Sequence, residues 1–416
     1  MNIPNIREVD VTGKKVLIRV DHNVVKKGKI KDTYRIDASL PTIRLIIEKG
    51  GKPILMTHVG RPKNKQTGQI EISEETSVQP IVQYLHEKTG KVFKTAFNNK
   101  PDFSDQSVLQ ELADGKIDGA YLPNTRWFEG EEEKDGRADD FAQKLASLAD
   151  IFVNDAFGSW QPHASTFTIT KYLPSYAGLL MIKEITSLEK VLKPRRPFVA
   201  VVAGSKFDTK IGSMTALLQM ADHLMLGGVI YNAYLCAKYG IRIQGVSEDN
   251  IASAAKFIES TKQFADKILE IPAVLESDIL ETNVPAKTRI RKIQDFQPGM
   301  KLNFVLDAAP ESFAESRIQH VFREAQTFFV NAVMGLTPNF AAGSKALYTS
   351  INQNKTAEKL FGGGDTLQDF KMLLPEIYYT ALNDESYYFF TGGGTILQVI
   401  EEGTPYGLQP VKALLR

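Results

Sequence analysis

Short runs of apolar residues recur along the chain at strand length, and most of them end in polar residues or glycine. In the first half these runs are Lys15 to Val20, Pro53 to His58, Gly119 to Pro123 and Ile151 to Asp155. In the second half they are Phe198 to Gly204, His223 to Gly228, Lys301 to Asp307, Thr327 to Val333 and Tyr387 to Thr391. Between them lie stretches with helical spacing, such as Phe141-Ala142-Gln143-Lys144-Leu145-Ala146-Ser147-Leu148. Continuous apolar strands alternating with helices predict parallel sheets covered by helices on both faces. The fold class is α/β, with two doubly wound, Rossmann-like domains.

Leu180, Ile185, Leu188 and Leu192 recur at helical spacing until Pro194-Arg195-Arg196-Pro197 stops the pattern. This predicts a linker or hinge helix over residues 180–197, between an N-terminal domain over 1–179 and a C-terminal domain over 198–403. No internal repeat or low-complexity tract interrupts that plan.

A chain of 416 residues, 43% hydrophobic and 24% charged, fits two soluble globular domains. The formal net charge of +1 gives no whole-chain attraction to nucleic acid or to a membrane surface, so any anion site is local. The single cysteine, Cys236, excludes an intrachain disulfide framework and a cysteine-rich metal site, and its apolar helix-like surroundings read as buried filler. The N-terminal residues Met1-Asn2-Ile3-Pro4-Asn5 have no signal-peptide pattern, and no apolar stretch approaches a membrane span. The expectation is a cytoplasmic protein with no nucleic-acid or membrane partner.

In such sheets ligands gather at the carboxyl ends of the strands. In the first half those ends deliver Asp21-His22-Asn23 with Arg35 beyond, Thr57-His58-Val59-Gly60-Arg61, Asn124-Thr125-Arg126, and Asn154-Asp155 with His163 beyond. Each alone is an ordinary structural or surface residue. Four strand ends carrying such groups to one edge cost stability unless an anion fills the space, and they predict a basket for a small, highly charged anion. The acidic run Glu129 to Glu133 reads as a solvated helix start.

In the second half, Gly204-Ser205-Lys206 and Lys210 present two lysines one helical turn apart after a strand. Gly227-Gly228 would let a flat base approach the backbone, although a tight strand-to-helix turn explains it equally well. Asn331-Ala332-Val333-Met334-Gly335 ends the next strand. Gly362-Gly363-Gly364-Asp365-Thr366 taken alone is either a turn capped by Asp365 or a phosphate cradle in which Asp365 holds a shared magnesium ion. Thr391-Gly392-Gly393-Gly394-Thr395 closes the series. Two triple-glycine strand ends and a double-lysine strand end in one domain favour a nucleotide phosphate site. Neither a Walker A loop nor the dinucleotide fingerprint is present, and the absence of the latter disfavours a dehydrogenase.

Taken in order, Arg19-Val20-Asp21-His22-Asn23-Val24, His58-Val59-Gly60-Arg61-Pro62, Asn154-Asp155-Ala156-Phe157-Gly158, Gly204-Ser205-Lys206 with Lys210, Met334-Gly335 and the two triple glycines resemble phosphoglycerate kinase over essentially the whole chain. The resemblance implies reversible, Mg²⁺-dependent phosphoryl transfer between 1,3-bisphosphoglycerate with ADP and 3-phosphoglycerate with ATP, a glycolytic step catalysed by a hinge-bending monomer. It also implies that the tail, residues 404–416, packs on the N-terminal, phosphoglycerate-binding domain. Asp21, Asn23, Arg35, His58, Gly60, Arg61 and Arg126 would hold phosphoglycerate. Gly204, Ser205, Lys210, Gly228, Asn331, Gly363, Gly364, Asp365 and Thr366 would hold the nucleotide, with Asp365 on the Mg²⁺, directly or through water. Arg35, Lys206, Gly392, Gly393 and Gly394 would meet the transferring group.

Three departures stand out. Ser159-Trp160-Gln161-Pro162-His163 lacks the arginine with which the family grips the distal phosphate, a charge-assisted pair worth roughly 1.5–3 kcal/mol. Pro338 stands where the family places a ribose-binding glutamate, and Ala309 replaces a glycine. The alternatives are a kinase for another small phosphorylated carboxylic acid and a non-catalytic nucleotide-binding homologue.

Overall fold

A computed structural model of the chain describes residues 3–415. The chain forms two compact units, Met1–Thr186 with Pro405–Arg416, and Ser187–Thr404. The helix Leu179–Leu192 runs across the boundary in sequence.

The first unit is built on six strands: β1 Lys15–Val20, β2 Lys52–Met56, β3 Phe93–Thr95, β4 Gly119–Tyr121, β5 Ile151–Asp155 and β6 Ser175–Ala177. They pair in the order β3-β4-β2-β1-β5-β6, all parallel. Strand β1 is buried from Val16 onward and β5 throughout, because helices cover both faces and neither face can carry water-facing residues. Alternate side chains of β1 enter two separate cores. Val16, Ile18 and Val20 join Ile36, Leu40 and Ile43 of the helix Tyr34–Glu48. Leu17 joins Phe97, Leu112, Phe128 and Phe141 on the other side. Arg19 shares the parity of Leu17, which puts a guanidinium in a fully buried position.

The second unit holds β7 Phe198–Ala203, β8 His223–Gly227, β9 Ala273–Ser277, β10 Thr288–Lys292, β11 Phe304–Ala308, β12 Thr327–Asn331, β13 Glu358–Phe361 and β14 Tyr387–Phe389. Five of them form a parallel sheet in the order β8-β7-β12-β13-β14. The run expected over Lys301 to Asp307 does not join that sheet. Its main part is β11, which lies beside β9 in a three-stranded antiparallel sheet ordered β10-β9-β11. Its burial decides this: Phe304 and Leu306 are only half buried, whereas every residue of β7 is buried. A strand with one partly solvated face suits an antiparallel layer. Cys236 is buried in the helix Gly228–Tyr239, in accord with a filler role. Among the described residues no helix is long and apolar enough to cross a membrane.

Candidate active site

In the first unit the carboxyl ends of β1, β2, β4 and β5 gather the basic residues around one buried ion network. Arg19 Nε donates to Ser165 Oγ at 2.8 Å, Nη1 to the Val20 carbonyl at 2.5 Å, and Nη2 meets His58 Nδ1 at 3.0 Å. Burial pulls the Arg19 pKa down from its ordinary value, while the charges of Glu131 and Asp21 oppose that shift. A guanidinium has no acceptor, so His58 Nδ1 must accept and the neutral imidazole carries its proton on Nε2. Burial, followed by Arg19, Arg126, His163 and Arg35, holds the His58 pKa well below the usual histidine range. His58 is therefore an uncharged donor at neutral pH.

Around this core, Asn23 Oδ1 accepts from Gly60 N–H at 2.9 Å. Arg35 Nη1 reaches Asp21 Oδ2 at 3.3 Å. Gly60 has φ +63°, a conformation that glycine adopts without strain. Its carbonyl accepts from Arg126 Nη1 at 2.6 Å. Arg126 Nη2 pairs with Glu132 Oε1 at 2.9 Å. Asp21, Asn23, Arg35, His58, Gly60 and Arg126 are thus drawn together. Arg61 is exposed, and among the described residues no ion pair ties it to them.

The acidic run is not a solvated helix start. The following helix begins at Gly136, and Glu131 is buried, with its Oε1 accepting from Ser165 Oγ at 2.6 Å and Thr125 Oγ1 at 3.0 Å. The buried charge of Arg19 explains the difference, since an unpaired buried guanidinium is costly. Sequence reasoning missed Arg19, Glu131, Glu132 and Ser165 as site residues, and the one available signal was an arginine inside an otherwise apolar strand.

In the second unit the ends of β7, β8, β12 and β13 border a cleft of about 900 Å³. Gly204, Ser205, Lys206, Lys210, Gly228, Asn331, Gly363, Gly364, Asp365 and Thr366 all line it. Lys210 Nζ donates to the Ala203 carbonyl and, at 2.6 Å, to Asn331 Oδ1. Asn331 Nδ2 in turn donates to the Gly362 carbonyl at 2.7 Å, so one asparagine ties the lysine to the glycine loop. Burial lowers the Lys210 pKa to about 8, against the pull of Asp365. Lys206 and Asp365 are exposed, and Thr366 is buried.

Gly363 caps the helix Gly364–Leu373 with φ 107° and ψ 130°, a region open essentially to glycine alone. A Cβ there would stand 2.8 Å from Asn331 Nδ2. The N–H groups of the first helical turn have no partner within the helix and face an incoming anion with the positive end of the helix dipole. Gly392, Gly393 and Gly394 do not line the cleft, but they open the parallel case of the helix Gly393–Glu402. A Cβ on Gly393 would lie 2.7 Å from the Gly363 Cα, so the two glycine loops pack backbone to backbone.

The rest of the cleft is largely apolar, with Ile271, Val274, Leu306 and Pro338 along it. Pro338 offers no side-chain acceptor. Asp307 at the end of β11 is held by N–H groups of Ala308 and Gly343, both at 2.9 Å, and burial raises its pKa to about 7. Asp369, which sequence reasoning did not single out, also lines the cleft; it is buried, and burial raises its pKa.

A family model for phosphoglycerate kinase matches residues 6–403. The chain is similar to a phosphoglycerate kinase of Dictyoglomus turgidum, at 35% identity over 411 residues covering 96% of each chain. It is similar to one of Francisella tularensis subsp. novicida at 34% identity over 409 residues, again covering 96% of each. The structure of phosphoglycerate kinase from Coxiella burnetii superposes with a TM-score of 0.77 at 28% identity, covering 100% of this chain and 99% of that one. That of Pyrococcus horikoshii shares the fold, with a TM-score of 0.79 at 20% identity over 99% of each. On the family match and these identities over nearly its full length, the chain belongs to the phosphoglycerate kinase family.

Proposed function

We propose that this chain catalyses reversible phosphoryl transfer between 1,3-bisphosphoglycerate with ADP and 3-phosphoglycerate with ATP. In the direction of ATP use, a carboxylate oxygen of 3-phosphoglycerate forms a bond to the terminal phosphorus as the bond from that phosphorus to the bridging oxygen of ATP breaks and ADP leaves. The acceptor carboxylate is already ionised at neutral pH, so the step needs no general base. It needs positioning and charge neutralisation, which the basic residues supply. His58 donates through Nε2, Arg126 and Arg61 meet the acceptor's phosphate, and Arg35, Asp21 and Asn23 orient the acceptor. Lys210 and the N–H groups at Gly363, Gly364, Asp365 and Thr366 hold the nucleotide phosphates. Gly204, Ser205, Gly228 and Asn331 shape the rest of that site, while Lys206, Arg35 and Gly392 to Gly394 meet the group in transfer.

The described residues contain no group of three or more metal-ligating acids, histidines or cysteines. A lone exposed carboxylate at Asp365 beside a phosphate cradle fits Mg²⁺, which is commonly held by one or two carboxylates plus substrate phosphates. When bound, Mg²⁺ supplies neutralisation of the phosphate charge. The cytoplasmic location expected from the cysteine usage and N-terminal pattern, and the monomeric state that the resemblance implies, are part of this proposal, and light scattering of the purified chain checks the second.

The observation that carries the reading is the Lys210–Asn331–Gly362 link, which sets a lysine and a glycine-started helix on one cleft in a chain of this family. A coupled assay with 3-phosphoglycerate, ATP and Mg²⁺ tests it. A second reading, a kinase for another small phosphorylated carboxylic acid, draws on Gln161 and Pro162 in place of the arginine. A substrate panel in which another acid outperforms 3-phosphoglycerate in kcat/KM would establish it.

A further inference from the structure

Arg126 is the most enclosed of the arginines proposed to meet the acceptor, and its ends are already engaged. Its side chain is 13% exposed, Nη1 is bound to the Gly60 carbonyl at 2.6 Å and Nη2 to Glu132 Oε1 at 2.9 Å. The same Glu132 oxygen lies 4.0 Å from His163 Nε2. One carboxylate oxygen therefore lies beside both Arg126 and His163, and His163 directly follows the Gln161-Pro162 pair in the stretch that has lost its arginine. Glu132 itself is only one-third exposed, so this is not a freely solvated surface pair.

Apart from the exposed Arg61, the charges of this cluster are also balanced without a ligand. Arg19, Arg35 and Arg126 face Glu131, Asp21 and Glu132. His58 and His163 add nothing at neutral pH, since burial and the neighbouring cations hold both below the usual histidine range, His163 at about 4 against the opposing pull of Glu132. Glu131 and Asp21 are buried and fixed by hydrogen bonds or an ion pair, so neither is free to leave. Glu132 is the one carboxylate of the three with a path to water. A phosphate arriving at Arg126 brings about two negative charges next to Glu132, and like charges at such range repel strongly in a partly enclosed site.

We propose that Glu132 is a built-in substitute for the substrate's phosphate, occupying Arg126 and the His163 edge in the free protein and being displaced when a phosphorylated acid binds. The inference rests on the acceptor reading of the first unit. Displacement spends part of the binding energy on breaking an ion pair, so Glu132 sets the acceptor's affinity without taking part in the reaction. His163, with its imidazole beside the displaced carboxylate, then becomes the available donor on the side where Gln161 and Pro162 carry no charge.

The experiment is calorimetric titration of the full chain with inorganic phosphate and, separately, with 3-phosphoglycerate, for wild type, Glu132→Gln and Glu129→Gln. Glu129 is 73% exposed and pairs with Arg137, so its variant removes the same charge without freeing Arg126. Glu132→Gln should lower Kd for both probes by about three- to tenfold, the range expected for releasing a partly exposed ion pair, while Glu129→Gln changes neither beyond about twofold. The gain must vanish in an Arg126→Ala background, as a double-mutant cycle requires. Unchanged or raised Kd for phosphate in Glu132→Gln overturns the proposal and makes Glu132 an orienting partner of Arg126. Equal gains from Glu129→Gln overturn it too. If phosphate binds more tightly to Glu132→Gln while 3-phosphoglycerate binds to neither protein, the displaceable carboxylate stands and the acceptor reading falls.

Discussion

Lys210 shows how much of the site's behaviour is set by single side chains. Its ammonium is held by the Ala203 carbonyl and the Asn331 amide, and burial lowers its pKa to about 8 in the free chain. It is charged below that pH and neutral above it, and nucleotide phosphates bind the charged form. The kcat/KM for ATP should therefore fall as pH rises through about 8, and this limb should disappear in Lys210→Arg, whose guanidinium stays charged. A profile of the same shape in Lys210→Arg would contradict the assignment. Glu131 makes the corresponding case for stability. It is 1% exposed and shares the network of Arg19, so Glu131→Ala leaves a buried guanidinium without its main counter-charge. Urea unfolding should show a loss of about 3–5 kcal/mol in the first unit, and a loss below about 1 kcal/mol would show that the pair is not coupled.

Among the elements, those buried on both faces were the legible ones. Strands β1 and β5 begin and end where their apolar runs do, because a central parallel strand has no solvated face to break the pattern. Strand β3, Phe-Lys-Thr, and β6, Ser-Tyr-Ala, are three residues long and half polar, and nothing in their composition separates them from loops. Strand β10, Thr-Arg-Ile-Arg-Lys, reads as charged surface. Its arginines 289 and 291 pair across the sheet with buried Glu276, a long-range contact that local patterning does not encode. The strand-end residues of the site were legible for the same reason as β1, since polar groups directly after a buried strand have one place to go. The packing of one glycine loop on the other was not, because Gly363 and Gly393 are distant in sequence. Gly393→Ala tests that contact: a Cβ 2.7 Å from the Gly363 Cα displaces backbone, not a flexible side chain. ATP KM should rise about tenfold or more in a folded protein with 3-phosphoglycerate KM unchanged, and wild-type kinetics would show that the loops are free to part.

On the scale of the whole molecule, each compact unit carries its own set of polar groups, basic in the first and lysine with glycine helix starts in the second. That division makes Arg126→Ala informative. It should raise KM for 3-phosphoglycerate at least about tenfold and leave KM for ATP within about twofold, whereas equal changes in both would contradict separate ligand sites. The pairing of the two chemistries in one chain is the central claim, and turnover tests it most directly. In a coupled assay with 3-phosphoglycerate, ATP and Mg²⁺, the wild-type chain should consume ATP only when all three are present. Lys206→Ala should retain the fold and bind ATP but lose at least about a hundredfold in kcat, as expected for a group that acts on the charge developing in transfer. No turnover by the folded wild-type chain, or full kcat in Lys206→Ala, would contradict it.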